Sequence, residues 1–294
     1  MDRYIYFLIA AVLGLAIGFL LKVIFNILPE KWLQDYDYDP NAEDFRKAKR
    51  MSLIPHGLIA GLFCALFFVL TIALDPSLIN GMKIMHLLAI FLAVPVLFLV
   101  LISDKLNRII PDQFWIFLLL CGFLLLASDY VEGSPWYSSE AKWYIPLINR
   151  LGAAILGAGV LFLIGFISEF FTQRTAMGQG DMKLLAGCGM LTGLYGIVIL
   201  IYAAVILAVF FAIPLLIKKQ KRLKEEQLYV ALAENKVLAQ LELKKKRDEM
   251  HYADDPDYLA FGPFIAIGCA VFISMEPFFF GKMIDTLYLL GLYF

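Results

Sequence analysis

The sequence predicts an all-α, polytopic integral membrane protein of about eight transmembrane or half-spanning helices, and three observations carry that prediction. Hydrophobic residues, Tyr included and Gly not, make up 61% of the 294-residue chain and charged residues only 17%; with the 14 Tyr exchanged for the 21 Gly the apolar share is about 63%, against about 45–50% apolar and about 25% charged in soluble domains. The apolar residues fall in long uncharged runs, and a hydrocarbon core of about 30 Å needs about 20 such residues of helix. Cations are spread unevenly over the loops between these runs. The same composition excludes a disordered chain, a nucleic-acid binder and a disulfide scaffold. With 25 Lys+Arg against 26 Asp+Glu, the formal charge is -1, so charge distribution is informative where the total is not.

The first run, 4–28, follows Asp2, carries Lys22 and ends in Phe25-Asn26-Ile27-Leu28-Pro29 with no small-x-small cleavage site, so it reads as a retained span. A polar loop, Glu30 to Ser52, leads to a second span at 53–75. Spans at 84–103, 114–128 and 146–171 follow, divided at Asp75-Pro76, Asp104 to Gln113 and Asp129 to Tyr144. Lys183 to Ile217 is ambiguous, because 35 helical residues measure about 52 Å, too long for one crossing and short for two. Positive charge decides. The loops 29–52, 104–113, 172–183 and 218–247 hold nineteen of the 25 Lys and Arg, and the positive-inside rule puts all four on the cytoplasmic face only if 183–217 is a hairpin. Its turn is expected at Gly193-Leu194-Tyr195-Gly196, after a short first arm containing Gly187 and Gly189 that need not cross fully. A last span near 261–280 completes the set, with the N-terminus outside.

The loop 218–258 is a charged helical insertion on the cytoplasmic face. Leu228, Leu232, Leu238 and Leu241 form an incomplete apolar stripe between basic ends, consistent with a solvated extension of the preceding span or with a helix that docks a partner or anionic headgroups. Cys64, Cys121, Cys188 and Cys269 stand alone in apolar runs, where a thiol behaves as a small hydrophobe.

Ionisable groups at membrane depth are costly and therefore functional candidates. Asp104 closes the third span and Asp181 opens the sixth; two crossings separate them, so both return to one face. Two carboxylates brought together share one proton: one activates a water, the other polarises a carbonyl. That is peptide hydrolysis of the aspartic type. Gly178 and Gly180 allow the backbone to leave helical geometry and a substrate chain to approach Asp181. Either aspartate alone is equally compatible with a helix cap or a loop end.

Three motifs together resemble the bacterial type IV prepilin peptidases, members of the GxGD membrane aspartic proteases. Asp104 precedes Pro111-Asp112 by the family's spacing; Gly178-Gln179-Gly180-Asp181-Met182-Lys183-Leu184 matches its second motif; and Phe261-Gly262-Pro263-Phe264 stands at the start of the last span. Gly18, Leu21, Val23 and Leu28-Pro29 in the first span are similar too, although Lys22 and Ile27 replace the usual Asn and Arg. The resemblance implies a single membrane-embedded peptidase domain over 1–294, with Asp104 and Asp181 catalytic. It gives supporting positions to Gly178, Gly180, Lys183, Pro111, Asp112, Phe261, Gly262 and Pro263. The implied protein sits in the bacterial inner membrane and cleaves the short basic leader of a prepilin or pseudopilin at the cytoplasmic face, without a cofactor.

Many members also carry a cysteine-rich zinc insert in the first cytoplasmic loop and methylate the new N-terminus. Here 29–52 is short and has no Cys, which predicts no structural zinc and weak or absent methyl transfer. Asp35-x-Asp37-x-Asp39 is not a calcium loop, since Pro40 and Arg46 occupy the positions that need Gly and Glu. His56 and His86 have no second ligand at metal spacing. Asp35, Asp37 and Asp39, within an acidic run, either recruit a basic leader electrostatically or only keep the loop soluble. A cation-coupled transporter using the two aspartates is the alternative from another class, and it leaves the Pro111-Asp112 and Phe261 to Phe264 matches as coincidences.

Overall fold

Apolar length dictates the elements. The computed structural model describes residues 3–34, 39–41, 45–81, 83–134, 136–137, 142–172, 178–233, 235–248 and 259–289. They form α1 (Arg3–Ile27), α2 (Leu58–Leu74), a short α3 (Ser77–Asn80), α4 (Ile84–Asn107), α5 (Asp112–Val131), α6 (Tyr144–Thr172), α7 (Gln179–Leu232), α8 (Lys236–Asp248), α9 (Gly262–Ser274) and α10 (Glu276–Leu289). No strand occurs among the described residues. Six helices are long and apolar enough to cross a membrane, or seven when the bent pair α9–α10 counts as one span, so the protein is a multi-pass all-α membrane protein. Large apolar side chains such as Ile155, Phe166 and Phe210 point outward, where lipid solvates what water would not.

The spans run longer than the polar residues at their ends suggest. Asp104 lies inside α4, which ends only where Arg108 turns left-handed at φ 60°, and Asp129 lies inside α5. Near hydrocarbon the helix is the state that satisfies its own backbone, so a single polar residue does not end it. The last span is not straight: it bends by 78° between α9 and α10.

α7 is a hairpin. Gly193 has φ 69° and ψ 177°, and ideal Cβ positions show how the chain continues. One built on Gly157 of α6 would meet Leu185 O at 2.7 Å and Ile197 Cδ1 at 3.2 Å. A continuous helix would hold residues 185 and 197 about 18 Å apart, so the chain reverses at Gly193. The first arm, 179–192, packs between α5 and α6. Close approach is bought by small residues: a Cβ on Gly189 would lie 2.4 Å from Ala153 O, and one on Gly18 of α1 2.1 Å from the Gly61 backbone of α2.

Beyond the bundle α7 runs on to Leu232, with α8 folded back so that Tyr229 OH donates to Glu242 at 3.1 Å. Leu228, Leu232, Leu238 and Leu241 are all exposed. Residues 249–258 of the predicted insertion lie outside the described residues.

Candidate active site

One end of the bundle collects the motifs. α4 finishes there, while α5, α7 and α9 begin there. Asp104, four residues from the C-cap of α4, is 6% exposed, and Asp181, in the first turn of α7, is 8% exposed. The Gly262 N–H, at the start of α9, donates to Asp104 Oδ2 at 3.0 Å. This N–H is one of those a helix start leaves free, and the positive end of the helix dipole favours a carboxylate there. A Cβ at position 262 would lie 2.7 Å from that oxygen and 3.0 Å from Ile110 Cδ1, so any other residue would have to displace the carboxylate. Ile110 also fills the space above Gly180, whose Cβ would meet Ile110 Cβ at 3.3 Å. Ile110 thus links the two aspartate-bearing ends, and the carboxylates are close enough for Asp181 to feel the charge of Asp104. Arg108 adds positive potential at Asp104.

The two glycines of the second motif do different things. Gly178 is extended, with φ -69° and ψ 133°, and its position leaves a Cβ 3.5 Å from Asp181 Oδ2. Gly180 is helical, which corrects the expectation that it bends the chain: its smallness matters, because Ile110 lies against it. Pro111 is the N-cap of α5, and Asp112 beside it binds Lys183 Nζ at 2.7 Å and Trp115 Nε1 at 3.0 Å. The first two motifs are therefore joined by an ion pair as well as by packing. Phe261 is the N-cap of α9, and Pro263 occupies its first turn, where a missing N–H costs nothing.

At the end of α4 the irregular stretch 45–52 is held by two asparagines that the sequence reading did not single out. Asn107 accepts from Lys49 N–H at 2.8 Å and donates to Lys49 O at 3.2 Å; Asn26 treats Met51 the same way, at 2.9 and 3.0 Å. Arg50 donates to Phe25 O and Leu28 O at the end of α1 and pairs with Glu30 at 2.6 Å. Burial alone pushes the Glu30 carboxyl up, but the Ala48 N–H, the Arg50 guanidinium and the Gln34 amide outweigh it and hold it below the usual value. Glu30 is thus an internally paired member of the acidic run. Asp39 is exposed and accepts the Asn41 N–H; Asp35 and Asp37 lie outside the described residues.

His56 Nδ1 accepts the Ser52 N–H at 3.1 Å, and His86 Nε2 lies 3.1 Å from Glu276. All four cysteines are free and buried.

Residues 90–213 match the type IV leader peptidase family. Both aspartates, Pro111-Asp112 and Lys183 fall inside the matched segment, and Phe261 to Phe264 fall outside it. Over 76 residues, 26% of this chain, the sequence is 29% identical to a prepilin leader peptidase/N-methyltransferase of Neisseria gonorrhoeae. That stretch spans about a quarter (27%) of the relative's length. No solved structure matches.

Proposed function

We propose that the protein is an aspartic endopeptidase that removes the short leader of prepilin-like proteins at the cytoplasmic face of the bacterial inner membrane, with Asp104 and Asp181 as its catalytic pair. The observation that carries this reading is two buried carboxylates, on the end of α4 and the start of α7, gathered around Ile110 and Gly262 within the segment that matches the leader peptidases. One carboxylate takes a proton from water as it attacks the scissile carbonyl, while its partner, protonated, donates to the carbonyl oxygen. The Gly262 N–H holds one oxygen of Asp104 in place. Gly178, with no side chain beside the Asp181 carboxylate, leaves room for an extended peptide.

Nineteen of the 25 cations in the loops of one end support a cytoplasmic orientation. The cysteine-free loop 29–52 supports cleavage without methyl transfer, and 218–258 acts as an insertion into one peptidase domain. Asp35, Asp37 and Asp39 serve as weak recruiters of a basic leader, an effect screened over about 8 Å at physiological salt.

The deciding experiment incubates the purified protein in detergent or nanodiscs with a prepilin and follows the mass of the product. A protein shortened by its leader and unmethylated is expected. An intact substrate under conditions where a known leader peptidase cleaves it would refute the reading. Orientation is checked with a Cys introduced at the exposed Gln240, which should stay unlabelled by an impermeant reagent in intact cells.

A further inference from the structure

α7 is interrupted at the buried Gly193, at the end of the bundle away from Asp181, and the break sets backbone groups free. The last carbonyls of the first arm and the first N–H groups of the second need outside partners. Two consecutive residues of α6 supply them. Arg150 Nη1 donates to Met190 O at 3.1 Å and Leu191 O at 2.9 Å, and Asn149 Oδ1 accepts the Leu194 N–H at 2.9 Å. Asn149 also lies against Gly193, where a Cβ would be 2.6 Å from its Nδ2. Asp129 of α5 closes the charge, binding Arg150 Nε at 2.5 Å and Nη2 at 3.0 Å. Arg150 is only 3% exposed, and a cation at a helix C-terminus is favoured by the dipole as well.

The first arm is a short rod with this cluster at one end and Asp181 at the other. Asp181 and Met190 are separated by about 13.5 Å of helix at 1.5 Å per residue. Such a rod does not stretch, so an axial shift or tilt at the break reaches Asp181.

We propose that Asp129, Arg150 and Asn149 form a clamp on the broken end of the first arm that sets the height of Asp181 against Asp104, making Arg150 a positioning residue for the pair from the far end of the bundle. This deepens the leader-peptidase reading, and its kinetic consequence rests on that reading.

The test uses Asp129→Asn/Arg150→Gln, which removes both charges together and strands neither in the bundle. Spin labels on Lys105→Cys and Gln179→Cys, both exposed and near the two aspartates, report the spacing without any need for activity. A narrow distance distribution is expected in the otherwise unaltered protein and a broadened or lengthened one in the double variant. On a prepilin substrate, kcat should fall about 10- to 100-fold, as a displacement near 1 Å can produce, with KM nearly constant. Arg150→Lys, which keeps the charge at the helix end, should recover part of the loss. An unchanged distance distribution overturns the clamp whatever the kinetics do, as does a rise in KM with kcat unaltered. If the unaltered protein cleaves no leader, the peptidase reading fails, while the distance measurement still decides the clamp.

Discussion

The two ends of the bundle treat the same residue type in opposite ways. Asp129 and Asp181 are equally buried, each 8% exposed. Asp129 is met by a bidentate guanidinium that also satisfies two backbone carbonyls, so both of its oxygens have partners. Asp181 faces the field of another carboxylate. A buried charge with a complete set of partners fits a structural role; a buried charge set beside its like is the arrangement that marks a candidate for chemistry. Burial does not distinguish the two, but partners do.

The largest expected effect tests the carboxylate end. Asp104→Asn or Asp181→Asn should reduce leader cleavage by at least about a thousandfold, because Asn keeps the size but cannot carry the proton. Thermal stability should be unchanged or higher, since a buried ionisable carboxyl is replaced by a neutral amide of the same size. If either variant were clearly destabilised and still active, the contrast would collapse.

The opposite signature belongs to the other end. Arg150→Ala leaves Asp129 buried and uncompensated, at a cost of about 3–5 kcal/mol. A large fall in the melting temperature in detergent measures this. A variant as stable as the parent would show that the pair contributes little.

Gly262→Ala sharpens the first region alone. The added methyl would stand 2.7 Å from Asp104 Oδ2, so α9 or the carboxylate must move. A loss of about 10- to 100-fold in kcat is expected, since small displacements at a reacting group are costly.

The smallest effect concerns Glu30 and the stretch it anchors. Its carboxyl is held below the ordinary value of 4.5, so its contribution is fully present above that pH and fades as pH falls through the lowered value. Because Glu30 is partly exposed, the contribution is small. Hydrogen exchange at Ala48 should quicken over that acidic range, and Glu30→Gln should remove the pH step.

The spans were legible in the sequence because bilayer thickness and backbone hydrogen bonding permit few alternatives to helices of about 20 residues. The cation distribution pointed to the hairpin at Gly193, which the packing of Leu185 and Ile197 on Gly157 bears out. Local order within a motif was legible too, as at Gly178, Pro111 and Pro263. The reading erred at polar residues near span ends: Asp104 and Asp129 looked like loop boundaries and lie inside helices, because one carboxylate does not end a helix whose backbone has no other partner. The bend at Met275 was missed although Glu276-Pro277 marks it inside the predicted last span, whereas the helical state of Gly180 left no signal in composition or periodicity.

What the sequence could not reveal is which distant residues meet. Arg150 sits in an apolar run, and its cost there marks it as significant, but its partners Asp129, Met190 and Leu191 come from two other helices. Asn107 and Asn26 gave no sign that they hold the backbone of residues 49 and 51. Ile110 was one aliphatic residue among many until the contacts of Gly180 and Gly262 put it between the aspartates. By itself the sequence determined the helices and singled out Asp104 and Asp181 as candidates, since hydrophobic length fixes where a chain can span and a carboxylate at a span end stands out. Only the tertiary structure decided which carboxylate receives a cation and which receives another carboxylate, because side-chain partners depend on how helices far apart in sequence pack.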